Sequence, residues 1–131
     1  MTDAPDQTSA YIDLSLPEEV ERIMSEETPG AVIDFWSPTC GPCMAMAPDF
    51  EHVAREFGDE PDLGFYKVNI AEYPELAAPF GIRSVPTLMF VRRGKIADAI
   101  VGRIPAEKLG QKAEWLLARV QKKGLLSRLF G

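Results

Sequence analysis

The stretch Trp36-Ser37-Pro38-Thr39-Cys40-Gly41-Pro42-Cys43 decides how the chain folds. Before it runs Ala31-Val32-Ile33-Asp34-Phe35, a mostly apolar segment that reads as a strand buried on both faces. After it, Met46, Phe50, Val53, Ala54 and Phe57 fall on one face of a helix. Ser37-Pro38-Thr39 is then a turn, and the helix opens near Cys40. Pro42 suits the first helical turn, where its missing N–H costs little. Pro48 lies inside the helix, removes one backbone hydrogen bond and is expected to kink it. The first turn of a helix carries unpaired N–H groups and the positive end of the helix dipole, and both favour an anion. A thiol at that place loses its proton more easily, and the thiolate is the nucleophile in disulfide exchange. Two intervening residues let Cys43 reach the sulfur of Cys40 within one turn, so Cys43 can resolve a mixed disulfide formed at Cys40. Cys40, at the helix start, is the expected attacking thiol.

Two plainer readings compete. A cysteine pair could be half of a zinc site, but tetrahedral zinc takes four ligands. The chain has no third cysteine, and its one histidine, His52, lies about two and a half turns further along the same helix. No metal site is expected, and His52 reads as a solvated helix residue. The cysteines could also be inert core thiols. Their place beside Gly-Pro at a strand-to-helix turn favours the reactive reading.

Outward from this centre, Tyr11 to Leu14 reads as a short strand. Ser15-Leu16-Pro17-Glu18 has the spacing of a capping box, and Leu16, Val20, Ile23 and Met24 recur at helical spacing up to Pro29-Gly30. Leu63 to Ile70 is another strand, and Pro74 to Phe80 a short helix or turn closed by Gly81. Thr87 to Val91 and Ile96 to Val101 flank Arg92-Arg93-Gly94-Lys95, a hairpin. A last helix follows Pro105, with Leu109, Ala113, Leu116, Leu117 and Val120 on one stripe. The pattern predicts an α/β fold, a mixed central β-sheet sandwiched between α-helices. Residues 1–9 are expected to be a flexible N-terminus, 10–121 the folded domain, and 122–131 a C-terminal extension.

At 131 residues with 46% apolar and 26% charged side chains, one domain can bury a core without structural disulfides. The formal net charge of −6 argues against nucleic acid or anionic lipid as partners, since both want a basic surface. No apolar run approaches the roughly 18 residues that span a bilayer. The polar, acidic start MTDAPDQTSA lacks the pattern of a secretory signal, so the expected compartment is the cytoplasm. In such a reducing compartment a lone cysteine pair is more often catalytic or metal-binding than structural.

Trp36 through Cys43 closely resembles the active site of the thioredoxin family, and the resemblance covers about residues 11 to 121. It includes Val32-Ile33-Asp34-Phe35-Trp36, Ala47-Pro48, Lys67-Val68-Asn69-Ile70, Gly81-Ile82-Arg83-Ser84-Val85-Pro86-Thr87, Arg93-Gly94 and Val101-Gly102. The resemblance implies a thioredoxin fold and roles for particular residues. Asp34 corresponds to a buried aspartate that helps deprotonate the second cysteine, here Cys43, and Lys67 to the lysine near it. The alternative is a solvated Asp34 and a surface Lys67, which the apolar run around Asp34 disfavours. Pro86 matches the cis-proline facing the cysteines, and the backbone of Val85 would pair with a substrate strand. Trp36 packs beside the site, Gly41 and Pro42 belong to the surface a substrate meets, and Gly102 keeps a flat docking face.

Two departures stand out. Many thioredoxins carry tryptophan just before the first cysteine, where this chain has Thr39, and often an acid after Ile70, where it has Ala71. The resemblance implies a protein-disulfide reductase acting through Cys40 and Cys43 on disulfide-bearing proteins. It would be a monomer without a cofactor of its own, recycled by a thioredoxin reductase that draws on NADPH. The same residues could run as an oxidase or isomerase, because direction depends on potential against the compartment. From another class comes a thioredoxin-fold chaperone or binding module with a dedicated partner.

Overall fold

The computed structural model describes residues 10–130; the N-terminal segment 1–9, expected to be flexible, lies outside the described residues. In chain order the elements are β1 (Ile12–Asp13), α1 (Pro17–Ile23), β2 (Gly30–Trp36), α2 (Gly41–Glu56), β3 (Gly64–Asn69) and α3 (Pro74–Ala77). A 3₁₀ turn (Ala78–Phe80), β4 (Thr87–Arg92), β5 (Lys95–Val101) and α4 (Ala106–Phe130) complete the chain. The strands form one sheet in the order β1-β3-β2-β4-β5. β1, β3 and β2 run parallel, whereas β4 is antiparallel to both β2 and β5. In register, Asp34 of β2 lies between Lys67 of β3 and Leu88 of β4.

Alternation along the strands splits the core in two, because successive side chains point to opposite faces. Val32, Phe65, Leu88 and Phe90 meet Met46, Phe50 and Val53 of α2 and Leu109, Ala113, Leu116 and Val120 of α4. Ile33, Phe35, Val68, Met89 and Val91 pack on the other face with Ile23 of α1 and Leu76 and Ala77 of α3. The expected sandwich of helices around a mixed sheet is therefore the fold.

Local differences have local causes. β1 holds two residues rather than four; Leu14 N–H still donates to the Lys67 carbonyl at 2.9 Å. The N-cap of α1 is Leu16, not Ser15. The carboxylate that turns back is Glu19, which accepts from the N–H groups of Ser15 and Leu16, both at 2.9 Å. These bonds hold the Glu19 carboxyl below its ordinary range. α1 stops at Ile23 rather than at Pro29-Gly30. Thr28 Oγ1 donates to the Arg22 carbonyl at 2.7 Å and so occupies an acceptor a further helical turn would need. α2 passes through Pro48 without ending. In the β4–β5 hairpin, Arg93 and Gly94 both have positive φ (47° and 83°), as a tight primed turn requires. A Cβ on Gly94 would come within 2.5 Å of the Met24 carbonyl oxygen. α4 runs on to Phe130, within the stretch 122–131.

Candidate active site

β2 ends at Trp36, and the chain turns through Ser37-Pro38-Thr39 into α2. The Ser37 carbonyl accepts from Cys40 N–H at 3.1 Å, and Ser37 Oγ lies 3.1 Å from Thr39 Oγ1. Cys40 is thereby set as the N-cap of α2, in extended conformation (φ −94°, ψ 110°). Its sulfur accepts the otherwise unpaired N–H of Cys43 at 3.1 Å. Where most N-caps offer an oxygen, this helix offers a sulfur. Cys40 and Cys43 are joined as a disulfide, with Cα atoms 5.2 Å apart. Cys40 is half-buried, Cys43 is 2% exposed, and Gly41 and Pro42 face solvent.

The loop before β4 comes against Cys40. The Val85–Pro86 peptide bond is cis, as the resemblance implies, and the Val85 carbonyl oxygen lies 3.5 Å from Cys40 Sγ. Two bonds brace this loop: Thr87 Oγ1 donates to the Ser84 carbonyl at 2.6 Å, and Gly102 N–H donates to the Pro86 carbonyl at 2.8 Å. Gly102 has φ +103°, which a side chain would strain, and a Cβ there would meet no atom within 4 Å. It thus leaves open space beside Pro86. Val101 and Met44, 67% and 49% exposed, are large apolar side chains in solvent next to Gly102 and Cys43 in sequence.

Asp34 is fully buried, and neither carboxylate oxygen has a hydrogen-bond partner among the described residues. Burial pushes its carboxyl up from 3.8 to about 7; the Lys67 charge opposes the rise without overcoming it. Lys67 is itself buried (7% exposed), yet makes no ion pair with the carboxylate facing it in register. Its ammonium sits instead 4.7 Å from the ring centroid of Trp36 and 5.1 Å from that of Tyr11. The structure thus brings together Cys40, Cys43, Val85, Pro86 and Gly102 as one cluster, with Cys43 and Pro86 buried beneath the half-buried Cys40, Val85 and Gly102. Asp34, Lys67 and Trp36 form a second, largely buried group.

Sequence reasoning missed three contributors. Tyr11 reaches Lys67 from a distant part of the chain, and nothing in its own neighbourhood signals that. Ser37 and Thr87 could have been found, since a hydroxyl two or three residues from a turn carbonyl or amide is a known local pattern. His52 lies exposed on α2 with Glu56 3.5 Å away. Among the described residues no group of three or more His, Cys, Asp or Glu could hold a metal ion. Nor is any helix among them long and apolar enough to cross a membrane.

Comparison with known proteins agrees with this geometry. Residues 14–114 match the family model described as Thioredoxin. The chain is 38% identical to the chloroplastic M-type thioredoxin of Pisum sativum over 94 residues, 72% of this chain and 53% of that protein. It therefore spans about half the length of the pea relative. Against thioredoxin 1 of a Nostoc species it is 37% identical over 94 residues, covering 72% of this chain and 85% of the relative. The solved structure of a Malassezia sympodialis thioredoxin superposes with a TM-score of 0.74 at 32% identity, covering 84% of this chain and 93% of the other. With the family match spanning most of the chain and the cysteine pair bonded at the head of its helix, the chain belongs to the thioredoxin family of thiol–disulfide oxidoreductases.

Proposed function

We propose that the chain reduces disulfides of other proteins, with Cys40 as the attacking thiol and Cys43 as the resolving one. The observation that carries this reading is the half-buried Cys40 sulfur at the N-cap of α2, within 3.1 Å of the Cys43 N–H. In the reduced protein the Cys40 thiolate attacks one sulfur of a substrate disulfide. The bond between the substrate sulfurs breaks, a Cys40–substrate disulfide forms, and the first substrate thiolate leaves and takes a proton from water. Asp34 then accepts the Cys43 proton. A carboxylate raised to about 7 suits that task near neutrality better than one at its ordinary value. The Cys43 thiolate attacks Cys40 Sγ and releases the second substrate thiolate. Two electrons have passed to the substrate, leaving the Cys40–Cys43 disulfide, the state in which the pair stands here.

Substrate backbone pairs with Val85 in β fashion, beside Pro86 and the open space at Gly102, while Gly41 and Pro42 form the exposed rim. Trp36 supports the site from below by covering Lys67. The protein works as a monomer in the reducing cytoplasm, and a thioredoxin reductase returns the pair to dithiol with electrons from NADPH. Turnover of insulin disulfides with a purified thioredoxin reductase and NADPH tests the whole reading. Steady NADPH consumption that needs both cysteines is expected. Tight binding of a protein partner by a chain that never turns over would place it instead among binding modules.

A further inference from the structure

Lys67 is a buried cation with two kinds of neighbour to choose from. Across the β2–β3 pairing lies the unpartnered carboxylate of Asp34, and on the other side lie two aromatic faces. In the structure it takes the aromatic faces. One of them, Tyr11, immediately precedes β1, far in sequence from every other residue of the site. Its position is fixed twice. β1 is clipped to β3 with Asp13 beside Lys67, and Leu14 N–H donates to the Lys67 carbonyl. The Tyr11 ring also meets Phe50 of α2 edge-to-face, centroids 6.0 Å apart, so it joins the cysteine-bearing helix to the lysine.

We propose that Tyr11 is a positioning residue of the exchange reaction: with Trp36 it holds the Lys67 ammonium between two ring faces and off the Asp34 carboxylate. Ring faces attract a cation most strongly when it is desolvated, as Lys67 is. Remove one face, and the carboxylate becomes the best remaining partner for the charge. No competing group interferes. Leu88 is the other register neighbour of Asp34, the helices on that face of the sheet contribute Met46, Phe50, Ala113 and Leu116, and only Lys67 acts on Asp34 by charge. Cys43 is the remaining titratable group of the site, and in the disulfide it does not titrate. The proposal rests on the reading of Asp34 as the base for Cys43, but its test does not.

The test is a carboxyl-carbon NMR titration of Asp34 in the disulfide form of the parent, Tyr11→Leu and Tyr11→Phe. The midpoint should fall by about one pH unit or more in Tyr11→Leu, as an ammonium brought against a carboxylate lowers it. Tyr11→Phe keeps the ring and should titrate like the parent. In a Lys67→Met background, Tyr11→Leu should produce no further change. A midpoint that stays or rises in Tyr11→Leu overturns the proposal, as does an equal fall without Lys67. Tyr11→Met, a second ring-free variant, serves if leucine packs poorly against Phe50. The rate of mixed-disulfide resolution against pH should move with the titration. If the titration moves and that rate does not, the positioning holds and Asp34 is not the base.

Discussion

Asp34 stands near the middle of its own titration at neutral pH, and this has a cost that can be measured. Its folded value, about 7, lies above the 3.8 of the unfolded chain, chiefly through burial. A raised acid binds its proton more readily in the folded state. Its contribution to stability is therefore full below about pH 4 and is lost as pH climbs through 7. At about 1.4 kcal/mol per pH unit the loss reaches about 4 kcal/mol at most. Asp34→Asn cannot lose a proton, so urea denaturation should find it more stable than the parent at pH 8, with the gap closing toward pH 5. An equal pH dependence in both proteins would show that the carboxyl is not buried as described. The same variant should resolve mixed disulfides about a hundredfold more slowly at pH 7, the scale of a lost general base, while forming them at nearly the parent's rate.

At the scale of elements, the start of α2 and the β4–β5 hairpin do different work. The helix start presents Cys40 and withholds Cys43, which is 2% exposed. In the reduced protein, alkylation should therefore modify Cys40 at least about tenfold faster than Cys43. Cys43→Ser should accumulate in cell extract as mixed disulfides that added dithiol releases, whereas Cys40→Ser should capture little. Equal capture by both would overturn the assigned order of attack. The range of captured proteins would also show what the exposed Thr39, just before Cys40, does to partner choice. The hairpin fixes the facing loop through the Gly102–Pro86 hydrogen bond. Gly102→Ala meets no clash but must adopt φ +103°. It should lower stability by about 1–2 kcal/mol in urea titration.

In the whole molecule, the sheet separates two cores, and the one under α2 and α4 carries the larger aromatic load. Phe50 is fully buried and packs edge-to-face against Phe65 at 5.7 Å as well as against Tyr11. Phe50→Ala should cost about 3–5 kcal/mol by chemical denaturation, from lost transfer energy and the cavity left behind. A cost below about 1 kcal/mol would mean that α2 is held by something other than this core.

The elements and their order follow from local pattern: an apolar run for β2, helical spacing for α2 and α4, Arg93-Gly94 for the hairpin turn. The reactive pair is equally local, because a cysteine at a strand-to-helix turn is an N-cap wherever the helix goes. Ends of elements were less legible. α1 ends at Ile23, where the Arg22 carbonyl accepts from Ser25 N–H and Thr28 Oγ1, and its cap is Leu16, with Glu19 turning back to it. Only the assembled sheet decided what surrounds Asp34. Burial depends on which helices cover that face, and Lys67 reaches Tyr11 and Trp36 because β3 pairs with β1 on one side and β2 on the other. Spacing along the chain carries no signal for such contacts, since the side chains meet only after the parallel strands have aligned.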